Sequence, residues 1–180
     1  MIVRILFILL TISSGCMSPA KTRKDEGVNI QIAITSTASY CGGARPTAEM
    51  ESELATPKPL PNVEVFIRAG NTQDHQQAVF VSAVSDERGL ISLMLPPGTY
   101  SVVTKEKNSD SKYKELLEQY ANETEEWSAI DVDCLKKWLR TPDLVLTVSE
   151  DGIREYTLNI HQPCFWRSVP CANYKGPFPP

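Results

Sequence analysis

The sequence has no excess of basic residues. Its 180 residues contain 18 Lys and Arg against 22 Asp and Glu, which gives a formal net charge of -4. Nucleic-acid phosphates are bound by a clustered surplus of Lys and Arg, and the chain has no basic stripe. The composition therefore predicts that nucleic acid is not a partner.

The motifs of the common enzyme classes are also missing. The chain contains no G-x-S-x-G, no H-E-x-x-H, no P-loop and no dinucleotide-binding fingerprint. Its only two histidines are His75 and His161. We therefore predict a non-enzymatic protein that needs no cofactor.

The apolar run near the N-terminus is too short to cross a membrane. Residues 5–12 form this run, whereas a membrane-spanning helix needs roughly 20 apolar residues. The run follows Arg4 and precedes the small residues 13–15, which is typical of an export signal that is removed. We predict that residues 1–15 are a signal peptide.

The residues before Cys16 resemble a lipobox, the site where bacterial lipoprotein processing diacylates a cysteine thiol and cleaves before it. Ser13 stands where the motif usually has Leu. The resemblance implies a membrane anchor through lipid on Cys16. Aspartate after such a cysteine is typical of inner-membrane retention, and Met17 in that place favours an outer-membrane lipoprotein. The alternative is an ordinary signal peptide with an incidental cysteine.

The rest of the chain divides into a tether and one domain. Residues 16–27 are polar and aperiodic, which predicts a flexible tether. The length favours a single domain, which we place at residues 28–180. Seven segments of it alternate apolar and polar residues, the period of half-buried strands. These segments are 28–35, 63–68, 79–83, 91–95, 100–104, 144–148 and 156–160.

Three other segments of the domain lack this alternation. Residues 36–61 predict a long exposed connection with a short acidic helix around 49–54. Residues 109–140 change to a period of about 3.6 and predict a short helical insertion. Residues 161–180 are rich in cysteine and proline and predict an irregular tail. The pattern as a whole predicts a mainly β fold, an antiparallel seven-stranded β-sandwich.

Residues 85–103 resemble the signature of carboxypeptidase-regulatory-like and other prealbumin-like (transthyretin-like) domains. The matching residues are Asp86, Gly89, Leu95, Pro96, Pro97, Gly98 and Tyr100. Asp86 and Gly89 suit a tight turn, the two prolines end a strand, and Tyr100 can close the core. The resemblance implies a Greek-key sandwich that serves as an accessory binding or structural module.

Four cysteines remain if Cys16 carries lipid, and an even number in an oxidising compartment predicts two disulfides. Short spacing favours a bond between Cys164 and Cys171, which leaves Cys41 with Cys134. The alternative joins Cys41 to Cys171 and Cys134 to Cys164.

Aromatic residues and His161 supply the candidate sites. Phe165 and Trp166 lie inside the predicted short disulfide loop, and Tyr174 follows it, so these rings predict a contact surface. We therefore predict a lipid-anchored envelope module that contacts a protein or glycan partner through residues 36–61 and 161–180. The alternative is a small metal-binding protein or hydrolase that uses His161 with nearby cysteines or acidic residues.

Overall fold

The computed structural model describes residues 27–178. The predicted signal peptide, Cys16 and almost all of the predicted tether lie outside the described residues.

Eight strands and three α-helices make up this part of the chain. The strands are β1 Val28–Ala38, β2 Lys58–Pro59, β3 Glu64–Ala69, β4 Val81–Val84, β5 Leu90–Leu95, β6 Gly98–Thr104, β7 Leu144–Val148 and β8 Glu155–Gln162. The helices are α1 Ala48–Ala55, α2 Ser111–Gln119 and α3 Val132–Arg140. Single 3-10 turns lie at Lys105–Lys107 and Phe165–Arg167.

The strands form two sheets, and the mainly β two-sheet architecture agrees with the sequence prediction. One sheet has the order β4-β3-β6-β7 and is antiparallel throughout. In the other, β1 is central, with β5 and the two-residue β2 antiparallel along one edge. Strand β8 pairs with the opposite edge from Gln31 to Ala38.

Strand β8 corrects the prediction of a purely antiparallel sandwich, because it runs parallel to β1. Parallel neighbours need a crossover connection. All the intervening strands and helices supply it here, so no local turn signal records the pairing. The structure has one strand more than the seven predicted. This additional strand is β2, which lies within the predicted connection 36–61. The Greek-key order implied by the family resemblance stays a prediction.

The alternating residues of β1 explain why it can be the central strand. Val28, Ile30, Ile32 and Ile34 are all buried and face the core between the sheets. Apolar residues from the other principal strands complete this core. They are Val65, Ile67, Ile91, Leu95, Tyr100, Val102, Leu146, Val148 and Leu158.

The family-like segment forms the local structures that its residue types favour. The Asp86 carboxylate accepts hydrogen bonds from the backbone N–H groups of Arg88 and Leu90, at 2.9 and 2.8 Å, and thereby closes the turn before β5. Gly89 takes the left-handed φ of +74° that this turn requires. The buried Tyr100 donates its hydroxyl hydrogen bond to the Pro96 carbonyl at 2.8 Å.

A second hydrophobic core lies outside the sandwich. Leu116 of α2, Leu135 of α3, and Ile130 and Val169 from the connecting and C-terminal segments are buried in it. Asp131 caps the N-terminus of helix α3, and its carboxylate accepts hydrogen bonds from two first-turn N–H groups. We call this unit, α2 and α3 with the chain from residue 164 to 178, the helical lobe.

Candidate functional site

Two disulfides hold the C-terminal segment at different places. Cys41 is bonded to Cys164, and Cys134 is bonded to Cys171. This is the third possible pairing, so the favoured pairing of Cys164 with Cys171 is wrong, as is the alternative. The first bond joins the connection after β1 to the end of β8, and the second joins α3 to the tail. Residues 165–170 are therefore a loop whose two ends are fixed to separate parts of the fold.

Four aromatic side chains of the loop and the tail, with Trp127 from the connection between α2 and α3, form what we call the aromatic surface. They are Trp127, Phe165, Trp166, Tyr174 and Phe178. Ring centroids of successive members lie 5.0 Å apart for Phe165 and Trp166, 5.1 Å for Phe165 and Tyr174, and 5.2 Å for Trp127 and Tyr174. All these contacts are edge-to-face, an arrangement that aromatic pairs prefer. The rings therefore support one another although Phe165 is 51% exposed and Phe178 is 62% exposed.

Backbone contacts fix the orientation of these rings. Residues Phe165–Arg167 form a 3-10 turn directly after Cys164, so Phe165 and Trp166 leave the disulfide in a defined direction. Tyr174 forms an isolated antiparallel bridge with Trp127. The structure thus brings together Phe165, Trp166 and Tyr174, the three residues that we singled out as binding residues. Trp138 does not join them, because it packs in the core of the helical lobe.

Two cavities have Trp166 in their walls. One, of about 380 Å³, is also lined by Tyr40, Glu51, Leu54 and Arg167. The other, of about 430 Å³, lies between Trp166 and the tail, and Phe178 forms part of its wall. Arg167 lines both cavities and makes no ion pair among residues 27–178.

Sequence reasoning overlooked Arg167. Its position directly after the aromatic pair is the signal that could have identified it. An exposed cation beside bulky rings adds a charged contact to an apolar one, and Arg is enriched in binding surfaces together with Trp and Tyr.

His161 is held by hydroxyl groups on the outer face of the β1–β8 pair. Its Nδ1 lies 3.0 Å from Thr37 Oγ1, and its Nε2 lies 2.9 Å from Ser39 Oγ. Asn159 donates to Thr37 Oγ1 at 2.9 Å, and Thr35 donates to the Asn159 carbonyl oxygen. These hydrogen bonds form one chain from Thr35 to Ser39. Every donor in the chain has an acceptor if Thr37 donates to Nδ1 and Nε2–H donates to Ser39. In that arrangement His161 does not take a proton from Ser39.

The metal-binding and hydrolase alternatives called for free cysteine thiols or acidic residues near His161. All four cysteines of the described range are in disulfides. Residues 27–178 contain no group of three or more His, Cys, Asp or Glu side chains that could hold a metal ion. Asp131 serves as a helix cap, and the pKa of Glu123 is lowered by its hydrogen bond and ion pair with Lys175. These acidic residues have local structural partners.

A buried ion pair joins the helical lobe to the sandwich. The Lys107 ammonium lies 2.6 Å from the Asp143 carboxylate and 3.0 Å from the Thr141 carbonyl oxygen, and it sits 5.1 Å from the Trp138 ring centroid. The other Asp143 oxygen accepts hydrogen bonds from the backbone and hydroxyl of Thr104. Because each charge is hydrogen-bonded, this pair connects β6, the segment before β7 and α3 as a structural element.

Within residues 27–178, no helix has both the length and the apolar content that a membrane span requires.

Comparison with known proteins gives only distant similarities. No family model matches the chain, and no curated protein matches it. The shaft pilin SpaA from Lactobacillus rhamnosus GG superimposes with a TM-score of 0.40 at 11% identity, over 75% of this chain and 51% of the pilin. The Bacillus anthracis TIE protein gives a TM-score of 0.34 at 14% identity, over 76% of this chain and 17% of that protein.

The D312A variant of BcpA, the major pilin subunit of Bacillus cereus, gives a TM-score of 0.32 at 16% identity, over 73% of this chain and 29% of BcpA. The chain therefore spans about half the length of these proteins, or less. Similarity at this level transfers no functional residue to the chain.

Proposed function

We propose that this chain is an exported, lipid-anchored module of the bacterial cell envelope that binds an envelope protein or a glycan through its aromatic surface and catalyses no reaction. The observation that carries the proposal is the double fixing of residues 165–170 by two disulfides. Exposed aromatic rings that are already held in place lose little conformational entropy when a partner binds.

Export is supported by the two disulfides as well as by the predicted signal peptide. Disulfides persist in oxidising compartments and are rare in the cytosol. The lipobox-like residues before Cys16 support a lipid anchor, and Met17 supports the outer membrane as its final location. The tight turn at Asp86 and the Tyr100 hydrogen bond support kinship with carboxypeptidase-regulatory-like domains, whose usual role is accessory.

Intact mass of the native protein tests the anchoring. We expect the chain to begin at Cys16, to carry acyl groups there, and to have lost two hydrogens for each of the two disulfides. Sucrose-gradient fractionation then assigns the membrane. An unacylated chain with titratable thiols contradicts this part of the proposal.

Substitution of the exposed rings tests the binding role. Phe165→Ala and Trp166→Ala should remove most of the chemical cross-linking of the protein to envelope components in intact cells. Phe80→Ala is a matched control, because Phe80 is 52% exposed and lies outside the aromatic surface, whereas Phe165 is 51% exposed. The binding role is disproved if all three variants cross-link as the natural protein does while remaining folded by circular dichroism.

A further inference from the structure

We infer that the aromatic surface binds an extended, proline-containing peptide segment of a partner protein, in the place that Pro177 and Phe178 of the chain itself occupy in the structure. This inference rests on the proposed binding function and specifies the chemistry of the partner.

The chain's own tail shows how such a segment contacts the surface. The Tyr174 hydroxyl donates a hydrogen bond to the Pro177 carbonyl oxygen at 3.2 Å. The Phe178 ring packs edge-to-face against Trp166 and Tyr174, with centroids 5.5 and 5.9 Å apart. A hydroxyl donor beside aromatic rings suits proline-containing segments, because proline offers a carbonyl acceptor but no N–H that would need a partner.

The tail is held loosely enough to be exchanged. Phe178 remains 62% exposed, and Pro177 is exposed as well. Among residues 27–178, Pro177 and Phe178 take part in no backbone–backbone hydrogen bond outside regular elements. Residues 177 and 178 are therefore held mainly by the Tyr174 hydroxyl and by the ring contacts of Phe178. A partner segment can make the same contacts in their place.

The space around Trp166 fits an extended segment. Cavities of about 380 and 430 Å³ share this ring as part of their walls, and each is comparable to a small binding pocket. A polyproline II segment has three residues per turn, so its successive side chains point in different directions, and one segment crossing Trp166 can place side chains in both cavities. Proline-rich segments are pre-organised in the polyproline II conformation and lose little entropy on docking.

The charge of the site adds a preference within this class of peptide. Among the described residues that line the cavity beside the tail, Arg167 alone is charged, and it is exposed. Its guanidinium makes no salt bridge within the described part of the chain. An acidic residue next to the proline would pair with Arg167. The preferred partner segment therefore carries an Asp or Glu beside its proline.

A synthetic peptide with the sequence of residues 175–180, Lys-Gly-Pro-Phe-Pro-Pro, provides the probe. It is titrated into the detergent-solubilised full chain and into Phe178→Ala, with tryptophan fluorescence as the readout. We expect saturable binding to Phe178→Ala that is about ten-fold tighter than to the natural chain, because the tethered tail competes with the peptide.

Two matched changes test the contacts. Tyr174→Phe, made in the Phe178→Ala chain, keeps the ring and removes only the hydroxyl, so affinity should fall about five-fold, the effect of one hydrogen bond. A peptide with alanine in place of its prolines should bind at least ten-fold more weakly than the probe because it is not pre-organised. Replacing the peptide's glycine, the residue next to its first proline, with glutamate should raise affinity about three-fold, a gain that Arg167→Gln abolishes.

The outcomes separate this inference from the proposed function. If the probe shows no saturable binding to Phe178→Ala at millimolar concentration, or if Tyr174→Phe and the alanine peptide bind as well as their references, the peptide inference is overturned. Loss of cross-linking in Phe165→Ala and Trp166→Ala would then still support a binding surface. Binding of soluble peptidoglycan glycan strands with loss in Trp166→Ala, without peptide binding, would identify a glycan as the partner instead.

Discussion

At the scale of single residues, Gly89 is a position where the backbone leaves no room for a side chain. Its φ is +74°, and a Cβ built there would lie 2.6 Å from the Ile34 carbonyl oxygen and 2.9 Å from the Leu60 nitrogen. Both are backbone atoms, one in β1 and the other directly after β2, so they cannot rotate away as the end of a side chain could. The turn before β5 therefore depends on the absence of a side chain at this residue.

Replacement of Gly89 by alanine should lower the free energy of unfolding by about 2–4 kcal/mol, because a steric conflict adds to an unfavourable φ. Gly70→Ala is the control, since Gly70 has a φ of +101° but a Cβ added to it would meet no atom within 4 Å. It should lose only about 1 kcal/mol. Urea unfolding followed by circular dichroism measures both, and equal losses would show that the close approach at Gly89 contributes nothing.

Asp86 gives the fold a pH dependence with a defined sign. The backbone hydrogen bond from Leu90 is the largest cause that lowers the pKa of this carboxyl below its ordinary value, and the backbone and guanidinium of Arg88 add to it. A folded pKa below the unfolded one means that the carboxylate stabilises the fold above the unfolded pKa. This stabilisation is lost as the pH falls through the folded pKa.

Asp86→Asn keeps a side-chain acceptor and removes the charge. We expect the natural protein to be more stable than this variant near neutral pH, and the two to converge as the pH falls below about 4, the ordinary range of an aspartate. Thermal unfolding at a series of pH values measures the difference. A difference that stays constant from pH 7 to pH 3 contradicts the assignment.

At the scale of elements, the helical lobe has its own core and its own disulfide. The core residues of the lobe form a cluster separate from that of the sandwich. The Cys134–Cys171 bond spans a sequence separation of 37 residues. Loss of a cross-link closing a loop of this size reduces stability by about 3–4 kcal/mol in the chain-entropy model. We expect this loss of stability to affect the helical lobe before the sandwich.

The double variant Cys134→Ser, Cys171→Ser should therefore show faster amide hydrogen exchange in α3 and in residues 165–178, with β1, β3 and β6 nearly unchanged. Cys41→Ser, Cys164→Ser is the matched control, and it should loosen residues 39–54 instead. Mass spectrometry of exchanged peptides distinguishes the two patterns. Equal deprotection of the sandwich strands in the first variant would show that the two cores unfold as one.

The strands were predictable from the sequence to different degrees, for physical reasons. Each of the seven predicted segments overlaps a strand, because in most of these strands alternate residues are more buried than their neighbours and this requires an alternating sequence. Strand β2 has two exposed residues, one of them Pro59, so neither alternation nor β-propensity indicates it. The direction of β8 could not be predicted from its sequence, since the alternating pattern is the same beside a parallel or an antiparallel neighbour.

At the scale of the whole molecule, the disulfide pairing was the least predictable feature of the candidate site. Short spacing favoured Cys164 with Cys171, but the connection of residues 165–170 to two distant places is decided by where β8 ends relative to β1. Tyr174, Phe165 and Trp166 could be predicted as candidates from their chemistry. Their mutual support by edge-to-face contacts depends on the parallel pairing and on the helical lobe.

Digestion without reduction tests the pairing directly. We expect disulfide-linked peptides joining Cys41 to Cys164 and Cys134 to Cys171, and none joining Cys164 to Cys171. Mass spectrometry before and after reduction identifies them. A peptide linked through Cys164 and Cys171 in the native protein would remove the double fixing on which the aromatic surface depends.

The parallel course of β1 and β8 sets the direction in which the molecule transmits force. The chain enters the fold at Val28, while β1 and β8 both end at the opposite pole, at Ala38 and Gln162, next to the Cys41–Cys164 bond. The 11 residues of β1 separate these poles by about 35 Å at the usual rise per residue. Tension between the proposed membrane anchor and a captured partner would therefore run lengthwise along β1, and its hydrogen bonds to the strands on both of its edges would resist together in shear instead of opening one after another.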